Sequence, residues 1–94
     1  GMLLLFLQMA PERLQKIQSA ISQNDRDAIE REVRKIRGAA DRIAAVSVAD
    51  TAKRLLDAVE SSQQAEIHES LVALETQIQR LSRQHSPAAE RKAS

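Results

Sequence analysis

The sequence predicts an all-α protein, folded as an antiparallel up-down-up-down four-helix bundle. Three observations carry this reading. Helix-compatible residues such as Ala, Leu, Gln, Glu, Lys and Arg dominate, while the aromatic and β-branched runs of strands are missing and Phe6 is the single aromatic residue. Only two Gly and two Pro interrupt 94 residues, of which 43% are hydrophobic and 29% charged, the balance of a globular rather than a disordered chain. Four apolar stripes recur at helical spacing with short polar segments between them, and a chain this short holds a single core.

The first stripe is Leu3, Phe6, Leu7, Ala10, Leu14, Ile17 and Ile21, which predicts a helix over residues 2–22. Pro11 removes a backbone donor inside it, so a kink or break is expected near Met9. The opening apolar run over residues 3–7 is too short to span a bilayer, lacks the basic flank of a signal peptide, and reads as core. Gly1 ahead of Met2 reads as the remnant of an expression tag, or the chain as a piece of a longer protein.

Asn24 or Asp25 then offers an N-cap, and Ile29, Val33, Ile36, Ala40 and Ile43 predict a second helix over residues 26–45. Ser47 followed by Asp50 reads as a capping-box variant opening a third helix on Val48, Ala52, Leu55 and Val59, which ends near Ser61 and Ser62. The last stripe, Ile67, Leu71, Leu74, Ile78 and Leu81, predicts a fourth helix ending near Gln84. Residues 1–85 thus form the expected bundle. Residues 86–94, opening on Ser86 and Pro87 with no stripe, read as a frayed or disordered tail. Short connections favour antiparallel neighbours; the alternative is a helical hairpin that dimerises as a coiled coil.

The formal net charge of +1, with both signs interspersed, selects neither nucleic acid nor an anionic membrane as partner. The absence of cysteine excludes disulfides and thiolate metal sites and is compatible with a cytoplasmic location. No metal-ligand set, no Ser/His/Asp arrangement and no glycine-rich phosphate loop is present, so no cofactor and no enzymatic activity are expected.

The second helix carries the informative constellation. At about 100° per residue its apolar stripe occupies a narrow sector, and Gly38 falls on the opposite, solvent side. A mid-helix glycine there costs about 1 kcal/mol relative to alanine and is not explained by packing onto the core. Either Gly38 ends one helix and Ala39 begins another, or a bare backbone serves a partner. Arg34, Arg37 and Asp41 share the flank beside it, with Glu30 one turn earlier, so that Glu30 with Arg34 and Arg37 with Asp41 form candidate i,i+4 pairs on a solvated face.

In this arrangement the chain resembles the histidine phosphotransfer (HPt) family of phosphorelays. The family orders a helix with Phe-x-x-x-x-Pro-x-x-Leu, a turn with Asp, and a helix carrying His-x-x-Lys-Gly followed by small residues. Phe6 to Leu14, then Asn24 and Asp25, then Arg34-Lys35-Ile36-Arg37-Gly38-Ala39-Ala40 occupy those places, and the stretch from Leu55 to Glu60 is similar to the family's next helix. The short helix that often precedes the bundle in this family is missing or reduced here. The resemblance implies a domain whose exposed imidazole takes a phosphoryl group from a kinase or a receiver aspartate, with a cation three residues on and a glycine that lets the partner approach. Gly38 matches, and Arg37 keeps the charge of the usual lysine. Arg34 does not match: a guanidinium is permanently charged and has no free lone pair to attack phosphorus. Ala44 also replaces a glycine frequent one turn later.

The other histidines do not restore the pattern. His68 has Leu71, not a cation, three positions on, and His85 lies at the end of the last helix, so both read as surface residues. The expected function is therefore an HPt-like domain that docks a response-regulator receiver or a sensor histidine kinase without accepting phosphate, through Arg34, Arg37, Gly38 and Asp41. Its role would be that of adaptor, competitor or regulatory module. Two alternatives stand beside it: a purely structural bundle, such as the remnant terminal domain of a hybrid sensor kinase, and an active phosphotransfer protein using another histidine.

Overall fold

In the computed structural model, which describes residues 2–85, the chain forms four helices: α1 (Met2–Ser22), α2 (Arg26–Arg42), α3 (Val46–Glu60) and α4 (Gln64–His85). The expected tail over residues 86–94 lies outside the described residues. Each helix packs against the next along the chain, α1 on α2, α2 on α3 and α3 on α4, whereas α1 and α4 meet over a short stretch only. The result is an elongated up-down-up-down bundle of 46 × 22 × 19 Å. Among the described residues no helix is long and apolar enough to cross a membrane.

The core follows the four stripes. Phe6, Ala10 and Ile17 of α1 are buried, as are Ile29, Val33, Ile36 and Ala40 of α2. All of Val48, Ala52, Leu55 and Val59 in α3 are buried, and so are Ile67, Leu71, Leu74 and Ile78 in α4. Leu7, Leu14, Ile21, Ile43 and Leu81 pack half-buried against them. The expectation that residues 3–7 are core holds only for Phe6, with Leu3 and Leu7 half-buried; Leu4 and Leu5 remain 53% and 66% exposed. Consecutive residues turn by about 100°, so a five-residue apolar run necessarily sends part of itself to the far side.

Three turns of one design join the helices. Asp25 N–H reaches Ala20 O at 2.8 Å, Ala45 N–H reaches Ala40 O at 2.9 Å, and Gln63 N–H reaches Ala58 O at 3.1 Å. Beside each, Asn24, Ala44 or Ser62 sits in the left-handed region at φ 55°, 57° and 55° and donates to Ile21 O, Asp41 O or Val59 O. This is the Schellman arrangement, in which the residue just past the helix adopts αL so that two orphan carbonyls find amide partners. The residue after it at once becomes the N-cap of the following helix, its carbonyl accepting from Ile29, Ala49 or Ile67.

The turns correct two expectations, and the course of α1 corrects a third. The second helix ends at Arg42 rather than at residue 45, because Ala44 takes the αL conformation there. The third helix begins at Val46 with Ala45 as its N-cap and no side-chain cap bond, so Ser47 and Asp50 form no capping box. Ser47 lies inside the first turn, where its carbonyl accepts the Thr51 hydroxyl at 2.8 Å. Finally, α1 runs unbroken through Pro11. Pro11 deprives only the Leu7 carbonyl of its amide partner and sits on the exposed side of the helix.

Candidate functional site on α2

The start of α2 is fixed by Asp25, whose side chain accepts from Ala28 N–H at 3.2 Å, with Asp27 adding an acidic group in the first turn. Arg26 donates to the Glu60 carbonyl at the end of α3, which ties the two helices at one end. Between these points and the Ala44 turn the helix lies against α1 and α3, with Ile29, Val33, Ile36 and Ala40 directed inward.

Glu32 is buried as well, at 5% exposure. Its carboxylate receives Arg13 Nη1 of α1, at 3.1 Å from Oε2 and 3.4 Å from Oε1, and Lys35 Nζ stands 3.7 Å from the same Oε2. Sequence reasoning passed over this pair. The available signal was positional: Arg13 and Glu32 border the apolar stripes of two neighbouring helices, where a charge is either paired or costly. The pairs proposed on the outer face, Glu30 with Arg34 and Arg37 with Asp41, do not form; the ion pairs of α2 among the described residues run to Glu32.

Arg34, Arg37, Gly38 and Asp41 all lie exposed on the outer side of α2. The helix continues through Gly38, whose φ is not positive, so the glycine neither ends a helix nor relieves backbone strain. A Cβ built there meets nothing within 4 Å. Neither the core nor a neighbouring helix therefore requires glycine at this position.

Next to this bare turn, on the flank of α2 that faces α1, Leu5, Phe6, Met9, Ala39, Arg42 and Ile43 line a shallow, mainly apolar cleft. The exposure of Leu5 gives the cleft an open apolar lip. The sequence hinted at it in the run of leucines that one helical face cannot absorb. His68 stands exposed on α4, away from α2, and the side chain of His85 lies outside the described residues. Among the described residues no three His, Cys, Asp or Glu side chains gather as metal ligands.

The family model of the Hpt domain matches residues 1–84. No curated protein and no solved structure matches the chain. Four helices with an exposed glycine on the second, under a family match spanning nearly the whole sequence, mean that the chain belongs to the Hpt domain family, the phosphotransfer modules of two-component phosphorelays that interact with receiver domains and histidine kinases.

Proposed function

We propose that this Hpt domain docks a receiver or histidine kinase domain through the outer face of α2 without accepting phosphate, and so acts as an adaptor, competitor or regulatory module. The observation that carries the reading is the turn from Arg34 to Gly38. Its glycine is exposed with open space above it, and its first residue, where the family's motif has the acceptor histidine, is arginine. A guanidinium has no lone pair free for attack on phosphorus. His68 has neither a cation three residues on nor a glycine four residues on. The apolar cleft beside Gly38 supplies desolvation energy for docking, and the arginines supply orientation.

The test is incubation of the wild-type domain with phosphorylated receiver domains of the source organism, measuring both label transfer and binding. The expected result is binding without label. Gly38→Gln separates docking from folding: glutamine stabilises an exposed helix position by a few tenths of a kcal/mol or more, yet fills the space a partner needs. The variant should melt higher and bind less. Label on the wild type overturns the dead-acceptor reading, and undiminished binding by Gly38→Gln removes the docking face from α2.

A further inference from the structure

We propose that the Arg34 face of α2 distinguishes the phosphorylated from the unphosphorylated form of its receiver partner, with Arg34 and Arg37 gripping the oxygens of the receiver's aspartyl phosphate. The proposal rests on the docking reading above and adds to it the chemical state that is recognised. In this view the position has changed from taking the phosphoryl group to sensing it.

Charge carries the first step. Within one helical turn on either side of Gly38 stand Arg34, Lys35, Arg37 and Arg42, all exposed, against the single acid Asp41. Among the described residues Lys35 is the only one of these four in an ion pair, with Glu32; Arg34, Arg37 and Arg42 form none. Their guanidinium groups can meet an anion without first breaking an intramolecular pair. A phosphoryl group brings a charge of roughly −1.5 to −2 and three acceptor oxygens, the complement of such a surface.

Geometry carries the second. Residues three apart on a helix have Cβ atoms about 5–6 Å apart, so Arg34 and Arg37 are near enough to converge on one phosphoryl group from adjacent sides. Gly38 follows, and the open space above it admits a partner's backbone to the level at which the two side chains reach outward. Arginine suits such a contact, because its planar fork donates two parallel hydrogen bonds to a phosphate and its charge is permanent. No bond is made or broken. The aspartyl phosphate stays on the receiver, and the interaction is a set of charge-assisted hydrogen bonds present in only one of the receiver's two states.

Asp41 acts in the opposite direction. It lies one turn beyond Arg37 on the same outer side, and its carboxylate repels a phosphoryl group while attracting the guanidinium of Arg37. The preference is therefore limited by Asp41, and Asp41→Asn should widen it.

The experiment measures affinity of the full chain for receiver domains of the source organism, each in its unphosphorylated form and loaded with beryllofluoride as the aspartyl-phosphate mimic. Wild type is expected to bind the loaded form about tenfold more tightly, the ratio a single charge-assisted hydrogen bond supplies. Arg34→Gln should bring that ratio to about two, weakening binding of the loaded form more than binding of the unloaded one, and Lys53→Gln, an exposed cation on α3, should leave the ratio at about ten. Equal affinity of the wild type for both forms overturns the inference and leaves docking intact. A preference that survives Arg34→Gln also overturns it, as does a response to beryllofluoride without receiver. Absence of binding to every receiver in either form instead brings down the docking reading on which the inference rests.

Discussion

Arg13 of α1 and Glu32 of α2 form an ion pair inside the bundle, with Nη1 at 3.1 Å from Oε2 and the glutamate side chain only 7% exposed. The pair links the middle of α1 to α2 beside the apolar core. Its stability is less than its geometry suggests: Arg13 Nε is buried without a hydrogen-bond partner, and desolvating two charges offsets much of their attraction. Arg13→Leu should therefore destabilise the domain by about 2–3 kcal/mol, since Lys35 at 3.7 Å still neutralises part of the stranded carboxylate. The double variant Arg13→Leu with Glu32→Leu should return to within about 1 kcal/mol of wild type. Urea denaturation of the four proteins of this cycle measures both values, and additive losses would show that the two residues act independently.

The conformation of Ala44 leads to a second expectation. An L-residue in the left-handed region meets a clash between Cβ and carbonyl that glycine avoids, and Ala44 is exposed at φ 57° with its N–H already satisfied by Asp41 O. Ala44→Gly should stabilise the protein by about 0.5–1 kcal/mol, which for a domain of this size raises the midpoint of thermal unfolding by a few degrees. Ala45→Gly is the control. Ala45 has a negative φ, so glycine there gains nothing and loosens the unfolded chain. If both substitutions have the same effect, the turn is not limited by the αL residue.

Ala44 also shows where the sequence stops being readable. The stripes of α2, α3 and α4 are visible because burial imposes helical periodicity on residue type, and residues such as Val33, Leu55 and Leu74 have no other place to go. Helix ends are set by a few backbone hydrogen bonds, which most residue types can make. Asn24 announces its turn because asparagine tolerates αL; Ala44 does not, and so the second helix reads three residues too long. The site divides in the same way. Gly38 is legible because an exposed mid-helix glycine lacks a structural reason, whereas the Arg13 to Glu32 pair depends on how α1 and α2 face each other, which no single-helix periodicity encodes.

On the opposite side of the bundle, Arg54 of α3 hydrogen-bonds Glu66 of α4 and lies 3.7 Å from Glu69. The hydrogen bond from Arg54 holds the Glu66 carboxyl below the usual glutamate range. A group whose pKa is lower in the folded than in the unfolded chain binds protons more readily when unfolded, so its contribution is complete above the unfolded value of about 4.3 and is lost as pH falls through the folded value. The stability difference between wild type and Glu66→Gln should accordingly be largest near neutral pH and close on acidification below that range. High salt should shrink it at every pH, because the pair is solvent-exposed. Denaturant midpoints across a pH series give the comparison; a gap that widens toward acid would mean that Glu66 is destabilising when ionised.

The most informative single change is Arg34→His. It places an imidazole three residues before Arg37 and four before Gly38, on an exposed turn of a helix that runs unbroken from Arg26 to Arg42. Because Arg34 is exposed and pairs with no carboxylate among the described residues, the substitution removes no packing and should change stability by less than about 0.5 kcal/mol. Chemically it exchanges a group without a lone pair for one whose neutral form has a nitrogen lone pair near physiological pH. When a phosphorylated receiver docks with its aspartyl phosphate over this turn, that nitrogen attacks phosphorus. The bond from phosphorus to the aspartyl oxygen breaks, the carboxylate leaves with the electron pair, and the proton on the other ring nitrogen balances the charge. Arg37 remains to neutralise the phosphoryl oxygens. The expected outcome is acid-labile label on Arg34→His, increasing with time and reduced by a further Arg37→Gln, with none on wild type under the same conditions. Circular dichroism confirms that each variant is folded. A folded Arg34→His that binds the phosphorylated receiver yet acquires no label would show that the phosphoryl group does not come to lie over this turn, and would move the point of contact away from Arg34.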